Sequence, residues 1–236
     1  LKAAVHVPRH EPAGLVVGGL VGLSFSDWPG ELAAVVFCQG CSWRCRYCHN
    51  PHLVPFTRLN APSWPSVLRW LEGRRGLLDA VVFSGGEATS QHGLAEAMRE
   101  VRRLGFKVGL HTAGPSAAAL APVLPLVDWV GFDFKAPFDA YARVTGGGHG
   151  TRVRESLRLV RDSRVACEVR TTWHPALLSD ADLDTMAESL VLEGWREWVI
   201  QRFRPQGCAD AELRDTPLGE VPRMDAHHPQ LRITLR

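Results

Sequence analysis

Three cysteines in one short loop have the type and spacing for metal chemistry. In the run Phe37-Cys-Gln-Gly-Cys-Ser-Trp-Arg-Cys-Arg-Tyr-Cys-His-Asn-Pro51, Cys41, Cys45 and Cys48 are spaced C-x3-C-x2-C. Thiolates suit the soft irons of an iron–sulfur cluster. Three of them hold three irons of a four-iron cubane and leave the fourth iron free for a substrate. Such an open position separates catalytic from structural metal sites. Two other readings stay open at this level. A structural zinc site would want a fourth ligand, which Cys38 or His49 could supply. An electron-transfer cluster would also want a fourth cysteine. A purely apolar role fits less well, because the loop is polar and carries glycine.

Further candidate groups follow other apolar runs. Phe83-Ser-Gly-Gly-Glu-Ala-Thr89 ends one of them. Gly85 and Gly86 would let a ligand approach the backbone closely, and Glu87 could accept a hydrogen bond from an ammonium group. Alternation places Asp133 and Lys135 on one face of a strand end, where the bland reading is a solvated ion pair. Arg170 could grip a carboxylate bidentately. His174, before a proline, could carry a proton but is more simply structural. Gln201, Arg204, Pro205 and Cys208 receive no catalytic role.

These residues need a scaffold, and the apolar pattern supplies one. Buried parallel strands are predicted at Ala33–Phe37, Ala80–Phe83, Lys107–Leu110, Trp129–Phe134, Val165–Thr171 and Trp198–Phe203. Helical patterns lie between them. Ser63 would cap the first, with Val67, Leu68 and Leu71 inward. The second runs from about His92 to Leu104 with Leu94, Met98 and Val101 inward. Pro115–Leu124, Arg152–Arg161 and Asp180–Leu192 supply the rest, and Ser179 followed by Asp182 resembles a helix start. Six β–α repeats predict an α/β fold, a partial (β/α)6 barrel like an incomplete TIM barrel, with an open doubly wound sheet as runner-up. Either way the site belongs at the C-terminal ends of the strands.

The chain of 236 residues is read as a single domain, with about 18–208 as the barrel and 209–236 as an irregular tail. Gly207–His228 in particular reads as irregular and polar, a mobile tail or a lid. The net charge of +2, without a dense basic tract, gives no footprint for nucleic acid. Leu1–Gly14 lacks the apolar core of a signal peptide. Runs such as Leu32–Cys38 are far shorter than the ~20 residues of a membrane helix, so a cytoplasmic protein is expected. Four of the six cysteines sit between residues 38 and 48, which in that compartment points to metal or redox chemistry rather than disulfides.

The cysteine loop resembles that of the radical S-adenosylmethionine (SAM) superfamily. The resemblance implies a [4Fe-4S] cluster on Cys41, Cys45 and Cys48 that reductively cleaves SAM to a 5′-deoxyadenosyl radical. It implies that Tyr47 lies near the adenine and that Gly85, Gly86 and Glu87 hold the methionyl amino group. Cys38 departs from the family at a position where Thr often stands. Leu110-His-Thr-Ala-Gly114 is similar to a family Asp-Thr-Asn-Gly segment. Thr112 is carried over from it; His111 and Ala113 depart, so a carboxylate that in some relatives helps hold a monovalent cation is missing. Asp133-Phe-Lys135 resembles the Asp-x-Lys of glycyl-radical-enzyme activases, which lines the cofactor and substrate cleft. The adenine-binding Gly-x-Ile-x-Gly motif is not evident.

At finer scale the chain resembles activating proteins of anaerobic ribonucleoside-triphosphate reductase. The resemblance runs through Gly18-Gly-Leu, Ser24, Asp27-Trp-Pro-Gly30, Phe37, Gln39-Gly-Cys41, Cys48-His-Asn-Pro51, Arg170-Thr-Thr172 and Gln201–Pro205. It implies a glycyl radical enzyme as partner, with flavodoxin or ferredoxin as electron donor. The cysteines outside the loop, Cys38, Cys167 and Cys208, are too few and scattered for a second cluster. The alternatives are a small-molecule enzyme resembling 7-carboxy-7-deazaguanine synthase, or a non-catalytic iron–sulfur or zinc protein.

Overall fold

The computed structural model describes residues 14–57, 61–222, 224 and 228–236. Most of the segment expected not to be a signal peptide lies outside them. In chain order the main elements are β1 (Val17–Ser24), β2 (Ala33–Cys38), α1 (Trp64–Glu72), β3 (Ala80–Gly85), α2 (Leu94–Arg103), β4 (Lys107–Thr112), α3 (Ala117–Leu120), β5 (Trp129–Asp133), α4 (Tyr141–Thr145), α5 (Gly150–Ser163), β6 (Ala166–Trp173), α6 (Asp180–Leu192), β7 (Glu197–Arg202), α7 (Ala211–Asp215) and β8 (Arg232–Leu235).

All eight strands form one sheet in the order of the sequence, antiparallel between β1 and β2 and parallel from β2 to β8. β1 and β8 do not pair, so the sheet stays open. A doubly wound sheet reverses its strand order at a switch point; this one does not, which rules out the runner-up and leaves the partial barrel.

Period-two alternation sorts the side chains into two layers. Ala34, Val36, Cys38, Val81, Phe83, Val108, Leu110, Val130, Phe132 and Ile200 pack against the inner faces of the helices. Those faces include Val67 and Leu71 of α1, Leu94, Met98 and Val101 of α2, and Leu157 of α5. Burial of each such side chain contributes roughly 1.5–3 kcal/mol. Ala33, Val35, Ala80, Val82 and Trp129 face the other way and form a separate small cluster with Trp28. The Trp28 ring stacks on Trp129 at 5.5 Å and stoppers the concave side at its lower end.

Local signals behave as the sequence predicts at α6, where Ser179 and Asp182 form a reciprocal capping box. Ser63 precedes α1 but makes no side-chain cap; its hydroxyl meets Ser66 Oγ at 2.9 Å. Four elements lie outside the sequence expectation. β1 is rich in glycine, α4 is only five residues long, and the stretch expected to be an irregular tail carries α7 and β8. No described helix is long and apolar enough to cross a membrane.

Candidate active site

The cysteine loop leaves β2 at the C-terminal edge of the sheet and is held by backbone hydrogen bonds on both sides. Gly40 N donates to Leu53 O (2.7 Å) and Cys41 N to Val54 O (3.0 Å). Farther along, Arg44 N donates to Thr145 O (2.8 Å) and Arg46 N to Val144 O (3.3 Å). The short helix α4 therefore braces the loop. A strap after β7 holds the other flank. Arg46 pairs with Asp210 and Glu212, both at 2.8 Å, and His49 Nε2 donates to Arg204 O at 2.8 Å. Cys208 is buried, its Sγ 3.4 Å from Arg46 O. His174 is fully buried, with Nδ1 accepting from Ala176 N and Nε2 donating to Leu213 O. Both its nitrogens are committed, so His174 is structural.

Cys38 lies elsewhere. It is the last residue of β2, fully buried, and faces the helices. Cys41 and Cys45 instead line a small cleft of about 80 Å³ with Trp43, Gly85, Gly86, Glu87, Thr112, Asp133 and Lys135. Burial pushes the Cys45 thiol up to about 11, while the Lys135 ammonium pulls the other way; metal binding would displace the proton. Among the described residues no three Cys, His, Asp or Glu side chains converge on one ion position. A cubane takes one thiolate per iron, so its ligands need not converge on a single ion position.

The glycines do something other than expected. Gly85 is at φ +114°, and a Cβ on it would drive into the backbone of Cys38. A Cβ on Gly86 would overlap the Gly40 carbonyl. The closely approaching group is thus the cysteine loop itself. Gly86 N donates to Cys38 O and Glu87 N to Gly40 O, both at 2.9 Å, which fixes the two motifs together.

Glu87 is 4% exposed, and its carboxylate is already surrounded. Oε1 accepts from Thr112 Oγ1 (2.7 Å), Thr89 Oγ1 (2.6 Å) and Thr89 N (3.2 Å), and Oε2 from Ala113 N (3.0 Å). Burial pushes its pKa up against those donors. Thr112 also accepts from Gly114 N (3.0 Å), so its hydroxyl orients Glu87.

Asp133 and Lys135 form a half-buried ion pair that is part of a larger network. Lys135 Nζ sits 3.4 Å from Asp133 and 5.3 Å from the Tyr47 ring centre, and its backbone N donates to Tyr141 Oη (2.9 Å). Burial disfavours its charge, but Tyr47 and Asp133 outweigh it and hold the ammonium well above the ordinary lysine value. Burial likewise opposes ionisation of Asp133; Arg170 and Lys135 overcome it and keep the carboxyl well below its usual range. Arg170 Nε donates to Asp133 Oδ1 at 2.7 Å. Tyr47 is buried, and the polar group beside its hydroxyl is the Lys135 ammonium.

His111, which the sequence marked only as a departure, joins this network. Its Nε2 is 2.7 Å from the Asp27 carbonyl and its Nδ1 is 3.2 Å from Ser84 Oγ. The carbonyl only accepts, so Nε2 carries the hydrogen and Nδ1 accepts from Ser84. Burial, then the Arg170 charge, lower its pKa from the ordinary 6.5 to about 4, against the pull of Asp133 and Asp27. The unfolded chain therefore binds this proton more readily, and stability falls as pH drops from 6.5 toward 4. Between pH 7.5 and 5.0 the loss is on the order of 2 kcal/mol. Urea midpoints at the two pH values should show a smaller drop in His111→Asn; an equal drop would contradict the assignment.

His111 also lines a second cavity of about 520 Å³, together with Phe25, Asp27, Arg170, Thr172, Gln201 and Arg204. The cleft and the cavity adjoin there. All the candidate site residues except Tyr47, Cys48 and Arg170 line the small cleft. Tyr47 and Arg170 touch it through Lys135 and Asp133, and Cys48 N donates to Cys45 O (3.1 Å). Two thiols beside the Lys135 cation, with the Cys48 thiol close enough to act on both electrostatically, fit an iron–sulfur cluster and a polar ligand.

Comparison with known proteins gives the family of the chain. Residues 35–189 match the model of the radical SAM superfamily. The chain is 28% identical over 224 residues to a Methanocaldococcus jannaschii protein provisionally named a glycyl-radical enzyme activating enzyme, covering 86% of each chain. It is 30% identical over 138 residues to a pyruvate formate-lyase-activating enzyme of Clostridium pasteurianum, covering 56% of this chain and 58% of that one. The solved structure of Streptococcus suis SuiB with its precursor peptide SuiA superposes with a TM-score of 0.67 at 11% identity, over 86% of this chain. The chain spans about half of SuiB, 48% of its length. The chain belongs to the radical SAM superfamily, whose enzymes work with a [4Fe-4S] cluster and S-adenosylmethionine.

Proposed function

We propose that this enzyme cleaves S-adenosylmethionine reductively and installs a glycyl radical on a partner protein, with anaerobic ribonucleoside-triphosphate reductase as first candidate and flavodoxin or ferredoxin as donor. The observation that carries the reading is the shared cleft. Cys41 and Cys45, the Gly85–Glu87 turn and the Asp133–Lys135 pair meet in one place, and His111 forms a wall shared with a larger cavity. The full-length similarity to a protein named as an activating enzyme supports it.

Cys41, Cys45 and Cys48 would hold the cluster. When bound, cluster and SAM together supply a one-electron cleavage that yields a 5′-deoxyadenosyl radical able to take a hydrogen atom from a glycine Cα. The chain's own residues prepare the place. Glu87, locked by Thr89, Thr112 and Ala113, presents a fixed acceptor beside the cysteine loop. Lys135 keeps a positive charge next to the thiols, and Asp133 fixes that ammonium while orienting Arg170. Arg170 is the candidate for the cofactor carboxylate. Neutral His111 separates cleft from cavity without adding charge. Trp43, buried and edge-on to Tyr141, shields the cysteine side from water.

The test is electron paramagnetic resonance of the reconstituted enzyme with reductant, SAM and a glycyl radical enzyme of the same organism. A glycyl-radical doublet, absent when either protein is left out, is the expected result. Formation of 7-carboxy-7-deazaguanine from a small precursor, without a protein radical, would replace the activase reading with a synthase one.

A further inference from the structure

The two ends of the cysteine loop are fastened differently. At the Cys41 end, Gly40 N and Cys41 N donate to Leu53 O and Val54 O, and Glu87 N after β3 donates back to Gly40 O. At the other end, among the described residues, no backbone–backbone hydrogen bond joins Tyr47, Cys48 or His49 to anything outside the loop. The bond that Cys48 N makes goes to Cys45 O within it.

The segment after β7 fastens that end instead. Arg46 lies between Cys45 and Cys48, and its guanidinium spans Asp210 Oδ2 and Glu212 Oε2, both at 2.8 Å. The Cys208 thiol donates to Arg46 O at 3.4 Å. His49, next to Cys48, donates from Nε2 to Arg204 O at 2.8 Å and stacks on Phe203 with ring centres 5.6 Å apart. Gly207 closes the contact: it sits at φ +82°, and a Cβ on it would overlap the His49 carbonyl oxygen.

The segment is itself fixed to the barrel. Phe203 N donates to Trp173 O (3.0 Å), and the buried His174 donates from Nε2 to Leu213 O (3.0 Å). Asp210 serves both sides. Its Oδ1 accepts from Leu213 N at the start of α7 (3.2 Å), while Oδ2 faces Arg46. A single half-exposed ion pair holds little by itself. Here it acts together with a thiol, an imidazole and a close backbone contact on residues 46–49.

We propose that residues 203–213 form a clasp that positions Cys48, with Arg46 and Gly207 as positioning residues, and that the clasp sets how firmly a loaded cluster is retained. Cys41 and Cys45 have other supports, so the iron on Cys48 is the one that depends on it. Groups that orient a metal ligand without touching the metal change metal affinity about 10–100-fold when removed. The clasp rests on Cys41, Cys45 and Cys48 as cluster ligands, and not on which substrate the enzyme uses.

Iron release to a ferrous chelator, from the anaerobically reconstituted full chain well below its unfolding temperature, tests this. Gly207→Ala lifts the segment from His49, and Arg46→Ala removes the ionic anchor. Gly219→Ala is the control: it carries similar left-handed strain (φ +61°) with nothing within 4 Å of the added carbon. Gly207→Ala and Arg46→Ala should each release iron about tenfold faster than the wild type, and Gly219→Ala at the wild-type rate. The Gly207→Ala/Arg46→Ala double variant should be no more than about twofold faster than either single variant, since both open one contact. Wild-type rates in the two single variants, multiplied effects in the double variant, or equally fast release from Gly219→Ala would overturn the clasp. Should Gly207→Ala not fold, Arg46→Ala and Asp210→Asn, which keeps a capping side chain on α7, decide it by the same tenfold criterion. Wild-type protein that takes up no iron would overturn the ligand assignment itself, so the two failures are distinguishable.

Discussion

Cys41→Ala, Cys45→Ala and Cys48→Ala should each abolish S-adenosylmethionine cleavage, while Cys38→Thr should leave it intact. The four residues lie within one run of sequence, and spacing alone cannot separate a cluster ligand from a strand end. The structure separates them by direction. Cys41 and Cys45 line the cleft beside Lys135, whereas Cys38 faces the helices at the end of β2 and is fully buried. Its thiol packs among the helix-side core residues and does not line the cleft, which removes it as a fourth iron ligand. The hydroxyl that Cys38→Thr buries should cost about 1 kcal/mol of stability. Iron content and the charge-transfer absorbance after anaerobic reconstitution give the readout. Loss of iron in Cys38→Thr equal to that in Cys45→Ala would contradict the three-cysteine assignment.

The contrast shows what the sequence reveals and what it hides. Continuous apolar runs at Ala33, Ala80, Lys107, Trp129, Val165 and Trp198 all became parallel strands, because a strand covered on both faces leaves that signature. β1 did not read as a strand: three of its eight residues are glycine, and Val21 and Leu23 are exposed. β8 is a four-residue edge with exposed positions. α4 is too short to show a helical period, yet it braces the cysteine loop; the glycines that follow it, Gly146 to Gly148, are its only local signal. The Asp133–Lys135 pair was legible from alternation, but its links to Tyr47 and Arg170 were not. They join residues far apart in the chain, and only the fold makes them neighbours.

Gly86→Ala should destabilise the fold strongly and dislodge the cysteine loop. The new methyl would meet the Gly40 carbonyl and the Leu53 carbonyl, both backbone atoms that cannot rotate away. Relief would require the cysteine loop to lift from β3, breaking the bonds from Gly86 N to Cys38 O and from Glu87 N to Gly40 O. A cost of about 3 kcal/mol is expected, a fall of roughly 6–12 °C in Tm for a chain of this size. Gly14→Ala, with nothing within 4 Å of the added carbon, is the control and should shift Tm by less than about 2 °C. The glycine pair was read from sequence as room for a ligand; the same freedom serves contact between two segments of this chain. If Gly86→Ala folds with unchanged Tm, the close approach is not what the glycine provides.

The central claim is that the Cys41–Cys45–Cys48 loop and the cleft beside it carry a cluster that cleaves S-adenosylmethionine. The most direct test is chromatographic quantification of 5′-deoxyadenosine from anaerobically reconstituted enzyme, with dithionite and S-adenosylmethionine, in the wild type and in Cys45→Ala. The account predicts 5′-deoxyadenosine and methionine in equal amounts from the wild type and none from the variant. Fully iron-loaded wild-type protein that releases no 5′-deoxyadenosine would contradict it.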